Sequence, residues 1–261
     1  MISTKRVFLL LLCAAWVPAA ARAAGQEERA QEKEEKVEIE IEAGTFASAY
    51  MWRGIRLSEG PVYQSSVTIG SHDFSFNLWG NVDFDSGRFN EMDITVSYSR
   101  DVKKFSIGTG FIHYGTIDAP DSDELCASFS ADYPFQPSIE AFFDINAGKG
   151  AFLRASAGHG FELSPRVSLE LKASMGIVFH DSFMGTPDSG EEFNGLHNAE
   201  VVIAFPIQIS RGWAMKLQAG VSTPLSHNAR QAIVNGSVCD PGHRFCDGTV
   251  VYGSATFTYA F

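Results

Sequence analysis

The chain closes on GSATFTYAF, where Val251, Gly253, Ala255, Phe257, Tyr259 and Phe261 alternate with Tyr252, Ser254, Thr256 and Thr258. Period-two alternation held to the last residue describes a strand whose two faces meet different surroundings. The pattern recurs along the chain after Glu42, in twelve runs near 43–54, 62–70, 73–84, 90–100, 103–115, 124–133, 136–146, 151–161, 166–180, 196–206, 211–223 and 249–261. No convincing helical stripe interrupts them. Each is around the length, roughly 9 to 11 residues, of a tilted strand crossing hydrocarbon. The fold class expected is therefore all-β, a closed antiparallel transmembrane β-barrel of twelve strands.

The connections carry the same message. Brief turns such as "SH", "DV" and "PF" alternate with longer segments such as "TIDAPDSD", 181–195 and 224–248. Short turns on one side and long loops on the other are the habit of outer-membrane barrels. An even strand count returns both termini to the short-turn side, which is expected to be periplasmic. Aromatic residues at that end of the apolar faces, Phe74, Tyr98, Phe105, Tyr133, Phe161, Phe205, Trp213 and Phe261, are placed to form an interfacial girdle.

The start of the chain fits export. Lys5 and Arg6 precede an apolar run over 7–18, and Ala21-Arg22-Ala23 offers small residues for cleavage, so 1–23 is expected to be a signal peptide. The run is too short for a retained spanning helix. Between Gln26 and Glu42 eight Glu stand against three basic residues, and 24–42 is expected to be a flexible acidic periplasmic segment preceding a barrel of 43–261. The formal net charge of the whole chain is −11, which argues against nucleic acid or anionic lipid as a specific partner. The partners expected are outer-membrane lipid and lipopolysaccharide, a small polar solute, and the machinery that inserts barrels, reading the last strand at Phe261.

Charged residues in such strands must face inward, because lipid exposure of a charge near the midplane costs roughly 2–4 kcal/mol. The pore-lining candidates are Arg53, Asp93, Glu140, Asp144, Arg154, Glu170, Lys172 and Lys216; Arg53 joins the set if Tyr50 and Trp52 face lipid. Asn77, Asn81, Asp83, Glu91, Glu124, Glu200 and Gln218 share their parity. One reading is a water-filled path lined by both signs of charge. The other is a network of ion pairs that closes the barrel, and twelve strands lie between the filled and open sizes.

Two stretches carry a resemblance. "SAYMWRGIRLSEGPVYQSSVTI" and "FSFNLWGNVDF" place Tyr50, Arg53, Gly54, Pro61, Gln64, Trp79 and Gly80 in the pattern of the TorF-like bacterial outer-membrane barrels, which the chain resembles over about forty residues. The closing "TFTYAF" is similar to the signal by which the barrel-assembly machinery recognises its clients. The resemblance implies an outer-membrane barrel passing small solutes. The final loop, with its two cysteines, departs from that pattern.

Other chemistry is sparse. Cys239 and Cys246 close a short loop outside the cytoplasm, where a disulfide is the expected outcome; zinc, with His243, would need a fourth ligand. Cys126 has lumen parity and is expected to be a small buried thiol. No G-x-S-x-G elbow occurs. A rim set of Asp83, Asp85, His180 and Asp181 is the nearest approach to a hydrolytic site. No enzyme activity, cofactor or metal is expected.

Overall fold

A computed structural model describes residues 37–117, 119–238 and 247–261. The strands are β1 (Val37–Ala47), β2 (Met51–Trp52), β3 (Ile55–Arg56), β4 (Val62–Ser71), β5 (Phe74–Asp83), β6 (Arg88–Val102), β7 (Phe105–Thr116), β8 (Ser122–Ala131), β9 (Ser138–Asp144), β10 (Ala151–Ser164), β11 (Val167–Phe179), β12 (Asn194–Gln208), β13 (Trp213–Pro224) and β14 (Val250–Ala260), with one helix, α1 (His227–Gly236), between the last two. Twelve of the strands close a barrel in the order β1-β14-β13-β12-β11-β10-β9-β8-β7-β6-β5-β4, while β2 and β3 form a separate hairpin. All barrel pairs are antiparallel, and β1 closes the ring by pairing with both β4 and β14. Closure leaves no unpaired strand edge, the condition for a sheet in lipid.

The alternation sorts as lipid demands. Phe74, Phe76 and Leu78 of β5 are exposed while Ser75 and Asn77 between them are buried. On β7, Phe105, Ile107 and Phe111 point out and Ile112 points in. Such a belt of exposed apolar side chains around a closed sheet inverts a water-soluble protein and identifies the outer face as membrane-facing. The girdle positions pair at one end: Phe74 with Tyr98 at 5.0 Å, Phe105 with Tyr133 at 6.1 Å, and Trp213 and Phe261 with Tyr259 at 5.0 and 4.7 Å.

One boundary is corrected. β1 begins at Val37, so 37–42, expected to be flexible, belong to the wall. In "VEIEIE" the apolar Val37 and Ile39 are exposed while Glu38, Glu40 and Glu42 are half-buried; the glutamates turn inward, where a polar lumen accepts them. The rest of the acidic segment and the signal lie outside the described residues.

Turns at the girdle end are short, with only 72–73, 103–104 and 165–166 between successive strands. The opposite end carries the long connections 48–61, 180–193 and 225–249. The described parts of these, 48–61, 180–193 and 225–238, fold inward together. The hairpin β2–β3 enters the barrel mouth, a 3-10 turn at Ser182–Met184 lies beside it, and α1 covers both. Helix α1 starts where the Ser226 hydroxyl accepts the Ala229 N–H at 3.0 Å, and it buries Ala229, Ala232 and Ile233. Its far end is tied to the hairpin by Val238 N–H to the Arg56 carbonyl, 2.8 Å, and Arg56 N–H to the Ser237 hydroxyl, 3.1 Å. Ile55 and Met184 are fully buried beneath it.

Candidate functional site

The site is the interior of the barrel, and its centre is Arg53. The hairpin turns through Arg53 and Gly54, at φ of 51° and 89°, with Trp52 opposite Ile55. A two-residue hairpin needs left-handed backbone at its tip, which glycine accepts freely and arginine at a cost of about 1 kcal/mol or more. Gly54 is also required by space: a Cβ there would stand 2.7 Å from Asn198.

What holds Arg53 is its guanidinium. Nη1 and Nη2 donate to Glu124 Oε1 and Oε2, each at 2.6 Å, and both side chains are 2% exposed. Tyr114 donates its hydroxyl to the same carboxylate at 2.8 Å. The guanidinium carbon lies 4.0 Å from the centre of the Phe142 ring, 4.5 Å from Trp52 and 5.2 Å from Phe152. A planar cation stacked on aromatic faces and paired edge-on with a carboxylate uses the features that separate arginine from lysine. Tyr50 and Trp52 do not face lipid. Tyr50 is buried against Trp79, with ring centres 5.6 Å apart, and its backbone N–H donates to the Ser58 hydroxyl at 2.8 Å. Arg53 thus reaches the lumen as the tip of an inserted loop, not as part of a wall strand.

The other residues of the forty-residue pattern lie in β4, β5 and the connection before them and make local contacts there. Gln64 donates to Asn81 at 3.1 Å, the Pro61 carbonyl accepts from Phe84 N–H at 3.2 Å, and a Cβ on Gly80 would meet the Phe89 ring at 2.7 Å.

Beside the latch, Asp144 accepts from the Ser122 hydroxyl at 2.7 Å and from the backbone N–H groups of Asn146 and Lys149 at 2.9 and 3.1 Å. Asp181, next in the same corner, accepts from Phe183 N–H at 3.0 Å, and burial pushes its carboxyl up to about 6. The rim set is dispersed: Asp181 turns inward, His180 faces Glu192 at 3.8 Å, and Asp83 accepts the N–H groups of Asp85 and Ser86 in its own turn.

Towards the girdle end the lining changes. On one wall, Glu140 and Arg154 are register partners on β9 and β10, 3.4 Å apart. Lys172 on β11 lies within electrostatic reach of Glu140, Arg154, Glu200 and Lys216. Lys216 in turn neighbours Glu40, Glu42 and Glu170. Tyr252 donates to Glu200 at 2.7 Å. The opposite wall is neutral: Asn77 donates to Thr68 at 2.8 Å, and Ser75 bonds Ser97 at 2.6 Å. Asp93 sits with Glu91 between the two zones, where Tyr50 reaches Glu91.

Sequence reasoning passed over Tyr114, Phe142, Phe152 and Glu40. Strand parity could have found them, since Phe142 stands between Glu140 and Asp144 on the inward face of β9. No signal along the chain pairs Arg53 with Glu124. Cys126 is buried on the inward face, and Cys239 and Cys246 lie outside the described residues.

No family model matches the sequence, and no curated protein does. Among solved structures, a NanC porin superimposes with a TM-score of 0.53 at 9% identity, covering 86% of this chain and 98% of that one. An anion-selective porin from Comamonas acidovorans covers 87% of this chain and 100% of its own, at 8% identity and a TM-score of 0.34, too loose a fit to bear on the argument. Closed by twelve antiparallel strands and girdled by apolar side chains, the chain has the architecture of a bacterial outer-membrane β-barrel, the fold to which the NanC porin superposition also points.

Proposed function

We propose that the protein is an outer-membrane channel for small polar solutes whose outer mouth is closed by its own loops. The observation that carries this reading is the inward ladder of opposite charges, Glu140 buried and Arg154, Lys172, Glu200 and Lys216 half-buried, facing a neutral hydrogen-bonding wall. A barrel that only needed filling would be served by apolar side chains, since isolated charges are costly to bury. The inserted hairpin, latched by Arg53 on Glu124, acts as the constriction. The porin-like architecture and the resemblance of the segment bearing Tyr50, Arg53 and Gly54 to TorF-like barrels support the same reading. The strand ending in Phe261 serves as the recognition signal for barrel assembly, and both termini are periplasmic.

A second reading, a closed barrel acting through its external loops, is favoured by the seal itself: Arg53, Ile55 and Met184 exclude water from the outer end. Planar-bilayer recording separates the two. The channel reading expects discrete conductance steps, rare in the native chain and frequent in Arg53→Ala. A folded Arg53→Ala barrel that stays silent in every salt would overturn it and leave the interaction barrel.

A further inference from the structure

The outer corner of the lumen holds buried negative charge that the latch does not balance. Glu124, Asp144 and Asp181 are 1%, 6% and 1% exposed. One ligand oxygen from each lies within 4.8 Å of the others. Arg53 pairs with Glu124, whereas the hydrogen bonds to Asp144 and Asp181 come from neutral donors: the Ser122 hydroxyl and the N–H groups of Asn146, Lys149 and Phe183. One oxygen has nothing. Asp181 Oδ2 is buried without any hydrogen-bond partner, and folded interiors rarely leave a carboxylate oxygen so placed.

We infer that Glu124, Asp144 and Asp181 form a divalent-cation site of the calcium class at the outer mouth of the barrel. The donors are all hard oxygens, which excludes a preference for soft metals. Calcium takes six to eight oxygens at about 2.3–2.6 Å in irregular geometry, which carboxylates delivered by two strand ends and a loop can meet; magnesium, at about 2.0–2.1 Å, demands a near-ideal octahedron and keeps several waters, and suits such a mixed corner less well. Arg53 occupies both oxygens of Glu124 from one side, but each carboxylate oxygen has two lone pairs, and the Arg53 bond to Oε1 takes one of them. Three carboxylates and one guanidinium leave a net charge that a divalent ion cancels.

The position gives the ion a task. Glu124 opens β8, Asp144 ends β9, and Asp181 begins the 180–193 loop just after β11. The same corner is already drawn tight, with Ser182 N–H donating to the Gly148 carbonyl at 3.3 Å. A bound ion would fasten that loop to two wall strands and, through Glu124, to the Arg53 hairpin. This holds whether or not the lumen conducts.

The test is calcium titration of the whole folded barrel in detergent free of lipopolysaccharide, by isothermal calorimetry after chelator treatment. One saturable site per chain is expected, with a Kd on the order of 0.1–1 mM as in other extracellular calcium modules. Asp181→Asn and Asp144→Asn should weaken it at least tenfold, while Asp85→Asn, on an exposed turn, should not. No saturable binding by the native chain up to about 10 mM overturns the site, as does binding indifferent to both variants. Should both variants misfold, hydrogen exchange on the native chain decides: calcium must slow the amides of 145–150 and 181–184, and protection confined elsewhere overturns the assignment.

Discussion

The two ends of the lumen are built on one wall by opposite means. At the outer end, three loops supply Arg53, Ile55, Met184 and α1, and the space is closed by side chains with almost no exposure. At the girdle end, turns such as 72–73 and 103–104 are too short to reach inward, and the interior is left to the wall's own charges, Glu140 and Glu170 buried and the rest half-buried, facing neutral amides and hydroxyls. The difference teaches where specificity resides. A barrel wall is dictated by closure and by lipid, so its interior chemistry repeats strand by strand; only loops long enough to fold back can place a unique group on the axis.

The largest effect should come from breaking the latch. Arg53→Ala leaves the Glu124 carboxylate buried without its cation, and unpairing a buried ion pair costs about 3–5 kcal/mol. Urea unfolding of the refolded barrel should show that loss. Replacing both partners, Arg53→Met with Glu124→Leu, should recover more than half of it, because no charge is then stranded. If the double variant is no more stable than the single one, the aromatic stacking on Phe142 and Trp52 outweighs the ion pair.

A smaller effect should follow from Gly54→Val. The left-handed φ of 89° and the approach to Asn198 both resist a branched side chain, at a cost of about 1–3 kcal/mol. The wall does not depend on the hairpin, so the loss should appear as loop release: protease cleavage within 48–61 should accelerate at least tenfold while strand content by circular dichroism is unchanged. Cleavage at the native rate would mean that α1 and the 3-10 turn hold the hairpin without its turn geometry.

The same contrast explains what was legible in the sequence. Wall strands announce themselves because lipid leaves every second side chain apolar, and the alternation in β5, β7 and β11 needs no tertiary knowledge. β1 was hidden in plain view: "VEIEIE" alternates, but its glutamates resemble a solvated run unless the lumen is already known to be polar. The hairpin was not legible at all. Tyr50, Trp52 and Ile55 look like a strand extended into lipid, and only the fold shows them turned inward. Its partner Glu124 is 71 residues away, and Asp181 comes to the same corner from another loop, so no local spacing could have joined them.

The gentlest change is at the girdle end. Lys172 and Lys216 are half-buried with several charges in reach, and Glu170, itself buried, has Lys216 in reach, so neutralising either lysine leaves other charges around its partners. Lys172→Gln should shift unfolding by no more than about 1 kcal/mol, the ceiling for ion pairs that are not fully desolvated, and Glu170→Gln should cost as little, because it replaces a buried carboxylate whose Oε2 has no hydrogen-bond partner by a neutral amide. Their signature should lie in ion preference. With the latch opened by Arg53→Ala, Lys172→Gln should move the reversal potential in a salt gradient towards cations and Glu170→Gln towards anions. Opposite signs from two residues two positions apart on β11 would place the selective constriction in the charged ladder. Unmoved potentials in both would shift it back to the outer mouth, where the loops and not the wall would then choose the solute.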